Sequence, residues 1–197
     1  GLGDVYKRQC LSRDLANAPA NVKSPEWLAT QAKKAVEGID GVKVRLRDAG
    51  WLKDKGFGGI LAVGGGSSRP PMLIELVWDP QKVDQRRRRR TVVLVGKGVT
   101  FDTGGISVKP AAGMDTMRTD MTGGASVIAA FRALAEQQVP RKVVALIPTA
   151  ENMIDGKSYR PGDVVEHYGG LTSEVTNTDA EGRMILADAV SYGAKKY

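Results

Sequence analysis

A mixed central α/β sheet with helices on both faces is the fold this sequence predicts. Thr91–Val95 reads as a strand buried on both faces, Lys142–Pro148 reads as another apolar strand, and strand-like segments alternate with helical ones along the 197 residues. A third observation locates the chemistry. Directly after the first apolar run, the stretch Lys97–Asp120 packs Lys97, Lys109, Asp102, Asp115 and Asp120 among several glycines, too polar and too Gly-broken for a core element. Polar groups crowded beyond the end of a buried strand are where open α/β sheets usually bind ligands.

Taken in order, Gly1–Gln9 shows neither helical nor strand period and resembles a translated adapter rather than native chain, so the domain is expected to span residues 10–197. Residues 11–38 read as two helices with a break at Asn17–Asn21 around Pro19. Ser24 is the expected N-cap of the second, Pro25 its first residue, and Gly38 its stop. Val42–Leu46 alternates as a strand, and Asp48–Lys55 is a short helix stopped by Gly56. Ile60–Val63 and Met72–Val77 read as strands, with the glycine-rich Gly64–Pro71 between them. That segment lacks the lysine–hydroxyl pair and following helix of a phosphate cradle, and is expected to be a plain loop. Ser126–Gln138 is an amphipathic helix, Asn152–Gly162 a long loop, Val164–Tyr168 and Glu174–Thr176 short strands, and Ala180–Lys195 the last helix.

Composition narrows the function classes. Hydrophobic content of 42% with 26% charged residues is ordinary for a soluble globular protein, and no apolar run can span a bilayer. The single cysteine, Cys10, cannot close an internal disulfide, so a reducing cytoplasm is the expected compartment. Most of the net charge of +7 comes from five consecutive arginines, Arg86–Arg90. A lone basic run without interleaved aromatics reads as a solvated loop; DNA binding through it is the alternative kept beside the main reading.

The single histidine, His167, rules out a His-rich zinc site and is expected to be structural or exposed. What remains is oxygen ligation by carboxylates, which suits Mn²⁺, Mg²⁺ or Zn²⁺. Each aspartate alone reads as a turn residue, and Asp102-Thr103-Gly104-Gly105 as turn chemistry. In the segment 177–183, Thr178 and Glu181 match a capping box, whereas an extended lead-in would turn Asp179 and Glu181 to one side.

The ordered segments decide between these readings. GKGVTFDTGG (96–105), SVKPAAGMD (107–115), MRTDM (117–121) and NTDAEGR (177–183) resemble the signature segments of the leucyl aminopeptidase (cytosol aminopeptidase) family. RDLANAPAN (13–21), AENM (150–153) and RPGDVV (160–165) resemble it as well. The resemblance implies a metal-dependent exopeptidase acting on peptides with a free N-terminus. It implies two divalent cations, Mn²⁺ or Zn²⁺, held by Lys97, Asp102, Asp120, Asp179 and Glu181. Lys109 would polarise the scissile carbonyl, Arg183 would hold a bicarbonate acting as general base, and Met117 would line the substrate pocket. It further implies a homo-hexamer for a longer parent chain, of which this would be a partial catalytic domain lacking its C-terminal portion; an inactive fragment is the corresponding alternative. The chain departs from the family pattern at Asp120-Met121-Thr122-Gly123-Gly124-Ala125, which carries a threonine and shifted glycines.

Overall fold

The computed structural model describes residues 2–80 and 91–197, so the arginine run lies outside the described residues. Its centre is β5 (Val143–Asn152), in which every residue is buried. On one side β5 pairs antiparallel with β2 (Met72–Trp78), which pairs antiparallel with β1 (Val42–Arg47). On its other side two strands follow one another parallel to β5: β3 (Val92–Val95) along Val143–Leu146, then β4 (Gly98–Asp102) along Thr149–Asn152. The described sheet is therefore five-stranded and mixed, as expected.

Side chains alternate between the two faces of β5, and each face has its own helices. Val143, Ala145 and Ile147 pack beneath α1 (Leu2–Asn17), α2 (Pro25–Ala35) and α5 (Thr122–Glu136). Val144 and Leu146 pack beneath α3 (Ala49–Lys55), α4 (Gly58–Gly64) and α6 (Glu181–Lys196). The expected caps are present: the Ser24 hydroxyl accepts from Trp27 N at 3.0 Å, Asp48 accepts from Trp51 N at 2.8 Å, and Gly56 closes α3 in the left-handed region at φ 76°.

Four expectations are corrected. Ile60–Val63 is helical, within α4, and not a strand. A four-residue apolar run bounded by glycines does not reveal its period, and the deciding contacts are distant. A Cβ on Gly58 would collide with the Glu166 carbonyl and one on Gly59 with the Met184 carbonyl, so α4 packs its bare backbone against other elements. β3 is only partly buried: Leu94 packs against one core and Val93 and Val95 against the other, but no described strand pairs with its outer edge, and Val92 is 39% exposed. Conversely, the Gly-broken stretch contains a core strand, β4, because Gly98 lets the chain pass close to Pro148 and Ile147 of β5. Finally, α1 begins at Leu2, so the segment read as lacking a helical period continues the helix of residues 10–17. Lys7, Arg8 and Gln9 are adequate helix formers, and Arg8 pairs with Glu136 of α5.

The remaining elements are a hairpin of β6 (Val164–Glu166) and β7 (Thr172–Glu174) and short 3₁₀ turns at Met117–Thr119 and Thr178–Ala180. His167, just past β6, is buried and structural, bonded to Asp188 at 3.0 Å and Ser173 at 3.0 Å. Among the described residues no helix is long and apolar enough to cross a membrane.

Candidate metal centre

Four pieces of backbone deliver charged side chains to one place beyond the carboxyl end of β4. Asp102 ends β4 and is 2% exposed. Its Oδ1 accepts from Gly104 N at 2.9 Å and from Asn152 Nδ2 at 2.8 Å, and its Oδ2 faces Lys109 Nζ at 2.9 Å. The turn chemistry expected of Asp102-Thr103-Gly104-Gly105 is thus real, and the second carboxylate oxygen is left over for the site. Gly104 and Gly105 turn through φ 87° and 68°, backbone that side-chain-bearing residues rarely adopt.

Lys97 comes from the two-residue interruption between β3 and β4. Gly96 N still bonds Leu146 O at 3.0 Å, and Lys97 O accepts from Gly124 N at 2.7 Å, so both sides of the interruption are tied to regular structure. Lys97 Nζ spans Asp120 Oδ1 at 2.7 Å and Glu181 Oε1 at 2.6 Å. Space for its stem is made by Gly182, where a Cβ would come within 2.8 Å of Lys97 Cε. Lys109 is held by its own backbone N–H on Thr103 O at 2.9 Å, and its amine bridges Asp102 and Asp179.

Asp179 and Glu181 arrive by a 3₁₀ turn running into α6, not by the extended lead-in that would have turned them to one side. The capping box is not formed either. Thr178 donates its hydroxyl to Gly104 O at 2.6 Å and accepts from Ser107 N at 2.8 Å, while Asn177 caps the turn through Asp179 N at 2.8 Å. As a result, ligand oxygens of Asp102, Asp179 and Glu181 lie within 4.8 Å of one another, a spacing that can hold a metal ion.

The electrostatics are strained by design of the sequence: four acids share two lysines. Burial, opposed by Lys97 and reinforced by the charges of Asp102 and Asp120, pushes Glu181 up to about 7. Burial also raises Asp120, again against Lys97. Burial would lower both lysines, but their carboxylate partners hold Lys97 and Lys109 above the ordinary lysine value. Two buried oxygens, Asp120 Oδ2 and Asn152 Oδ1, have no hydrogen-bond partner among the described residues. Clustered carboxylates with an unpartnered buried oxygen on one of them fit a divalent cation by donor type and by charge.

Of the residues predicted for the site, Lys97, Asp102, Asp120, Lys109, Asp179 and Glu181 thus meet. Met117 is half-buried on the 3₁₀ turn before Asp120, and Arg183 is exposed in the first turn of α6; neither joins these ion pairs. Sequence reasoning missed Asn152, Thr178 and Tyr159. Asn152 orients Asp102, and the Thr178 carbonyl accepts from both Asn152 Nδ2 at 3.1 Å and Tyr159 Oη at 2.6 Å. Asn152 lies in the AENM segment, the only signal that could have found it.

Comparisons with known proteins place the chain in a family. The family model described as "Cytosol aminopeptidase family, catalytic domain" matches residues 10–197. A probable cytosol aminopeptidase from Corynebacterium diphtheriae is 52% identical over 187 residues, covering 95% of this chain and 36% of that protein. The chain therefore spans little more than a third of the length of the curated relatives it matches. Among solved structures, the cytosol aminopeptidase of Coxiella burnetii superposes with a TM-score of 0.91 at 42% identity, covering 98% of this chain and 41% of that one. The bottromycin maturation enzyme BotP, solved in complex with Mn, superposes with a TM-score of 0.90 at 40% identity over 98% of this chain and 41% of that one. By the extent of the match and the identity, the chain belongs to the cytosol aminopeptidase family, within its catalytic domain.

Proposed function

We propose that this chain carries the metal centre of a dinuclear aminopeptidase that releases N-terminal residues from peptides. The observation that carries the reading is the convergence of Asp102, Asp120, Asp179 and Glu181, from three separate parts of the sequence, around only two ammonium groups. In water-poor surroundings such a group of acids repels strongly unless cations sit among them. Lys97, Asp102, Asp120, Asp179 and Glu181 would hold two divalent ions, Mn²⁺ or Zn²⁺; BotP, a relative in structure, binds Mn. When bound, such a pair makes a nucleophile of water at neutral pH and polarises the substrate carbonyl.

The chain's own residues then divide the work. Asp102 is pre-oriented through Oδ1 by Asn152 and Gly104 N, which leaves Oδ2, now paired with Lys109, as the oxygen that would bind a cation. Surrounded by carboxylates alone Lys97 keeps its proton; to serve as a ligand it would have to be the neutral amine, which neighbouring dications would favour. Lys109, which rests on Asp102 and Asp179, would turn its ammonium to the scissile carbonyl oxygen where those acids hold cations instead. Arg183, exposed beside Glu181, is the residue proposed to hold bicarbonate as general base, and Met117 to line the pocket for the substrate's first side chain. Peptides with a free N-terminus as substrates and the cytoplasm as compartment accord with the names of the relatives. A homo-hexamer of the longer parent rests on the family resemblance alone.

The test is hydrolysis of an amino-acid amide by the longer parent protein, with uptake of Mn²⁺ measured in parallel on the 197-residue chain. The reading requires that chelation abolish hydrolysis and Mn²⁺ or Zn²⁺ restore it. Hydrolysis that survives exhaustive chelation would overturn it.

A further inference from the structure

The segment RDLANAPAN and the loop after it take no part in the chemistry above, yet they contain one of the largest fully buried side chains of the described residues, Lys23, at 0% exposure. No described carboxylate pairs with this amine. Instead Lys23 Nζ donates to Ala16 O at 2.6 Å and to Arg118 O at 2.6 Å, and lies 3.6 Å from Met121 Sδ. Two of those three contacts are with the segment that presents Asp120. Burial, then the charge of Arg118, pushes the Lys23 amine down to about 8, so it keeps its proton at neutral pH and makes charge-assisted bonds.

The other end of the same loop is held by Arg69. Its Nη1 donates to Ala20 O at 2.9 Å and its Nη2 to Asn21 O at 2.8 Å, while Nη1 also pairs with Glu151 Oε1 at 3.3 Å. Glu151 accepts from Ser67 as well, and its chain neighbour is Asn152, which orients Asp102. A continuous set of bonds therefore runs from the Asp102 arm of the centre, through Glu151, Arg69 and Ala20–Lys23, to the Asp120 arm.

On the reading of the site given above, we infer that the Ala20–Lys23 loop is a strut between the two arms, with Lys23 and Arg69 the positioning residues that fix the separation of Asp102 from Asp120. Neither touches the centre. Lys23 acts through the Ala16 and Arg118 carbonyls, and Arg69 through the Ala20 and Asn21 carbonyls and the Glu151 carboxylate.

Amide hydrogen exchange and Mn²⁺ titration of the 197-residue chain test this, using Lys23→Met and Arg69→Gln. Arg69 is one-third exposed, so its variant is expected to fold even if Lys23→Met does not. The strut predicts exchange at Arg118–Met121 at least about 10-fold faster in both variants with residues 143–148 of β5 unchanged, and Mn²⁺ affinity lower by about 10-fold, as for other residues that orient ligands. Arg69→Lys, which keeps a cationic donor, should recover part of both. Unchanged exchange at Arg118–Met121 beside normal Mn²⁺ uptake, or equal acceleration throughout β5, would overturn the strut and leave the metal centre standing. Failure of the unsubstituted chain to take up Mn²⁺ would instead overturn the metal centre and the strut's purpose together.

Discussion

Glu75 and the group of buried Asp102 and Glu181 with half-buried Asp120 and Asp179 are both acids withdrawn from water, but on opposite terms. Glu75, on β2, is one carboxylate with an excess of donors: Arg45 at 2.6 Å, Lys196 at 2.8 Å, Tyr192 at 3.0 Å and the Tyr197 hydroxyl, with Arg47 at 3.7 Å. Burial alone would raise it, yet the bonds from Lys196, Tyr197 and Arg45 win and hold it down to about 2. The candidate metal centre has the reverse ratio, and Glu181 is pushed up to about 7. A charge that the fold has fully neutralised is a structural tie. A surplus of charge is a demand for something from outside, and this contrast separates the two sites better than burial does.

Substitutions on each side should break or sharpen the contrast. The largest effect is expected of Glu181→Gln, which removes a proposed ligand: Mn²⁺ affinity should fall more than about 100-fold, above about 2.7 kcal/mol, by calorimetric titration. Its urea midpoint without divalent ions should stay level or rise, because a repelled charge is gone. Glu75→Gln should do the opposite, leaving Mn²⁺ affinity alone and costing about 2 kcal/mol in urea unfolding. That is less than for a fully buried pair, since Arg45 and Lys196 reach solvent. Next is Asn152→Ala, which frees Asp102 to rotate and should weaken Mn²⁺ binding by about 10-fold.

The smallest effect is a pH slope in chelated protein, below about 1.4 kcal/mol per pH unit for one group. Glu75 has its value lowered, so its contribution is full above the ordinary 4.5 and is lost as pH falls through about 2. Glu181 has its value raised, so its contribution is full below 4.5 and is lost as pH rises through about 7. Stability measured in urea should therefore climb with pH on the acid side and decline toward neutrality. Glu75→Gln should flatten the first limb and Glu181→Gln the second; a decline that survives Glu181→Gln would assign it to another group.

The same division between local and distant causes governs what the sequence could tell. Ser24, Pro25, Asp48 and Gly56 act on their own helix ends, and the helices they bound were readable from spacing. α4 was not readable, because its glycines answer to Glu166 and Met184, more than a hundred residues away in the chain. The edge position of β3 was hidden for a similar reason: an apolar run reports that a strand is sticky, not which neighbours it obtains. For the centre, spacing alone favoured turns and a capping box. Only the ordered segments, matched to a family, brought Lys97, Asp102, Asp120, Asp179 and Glu181 together. Thr178 shows why. Its hydroxyl looks like a cap in sequence and is spent on Gly104 and Ser107 in three dimensions.

The interruption at Gly96–Lys97 has a mechanical corollary. Because β3 and β4 lie end to end along the same neighbour, this lysine is mounted on a beam braced at both ends instead of hanging from a flexible tether. Its amine is thereby held between Asp120 and Glu181, so little freedom would be surrendered if it served as the ligand proposed above. The cost falls on adaptability: losing or gaining one residue there would slide β4 against its partner and turn Asp102 to the wrong side of the sheet.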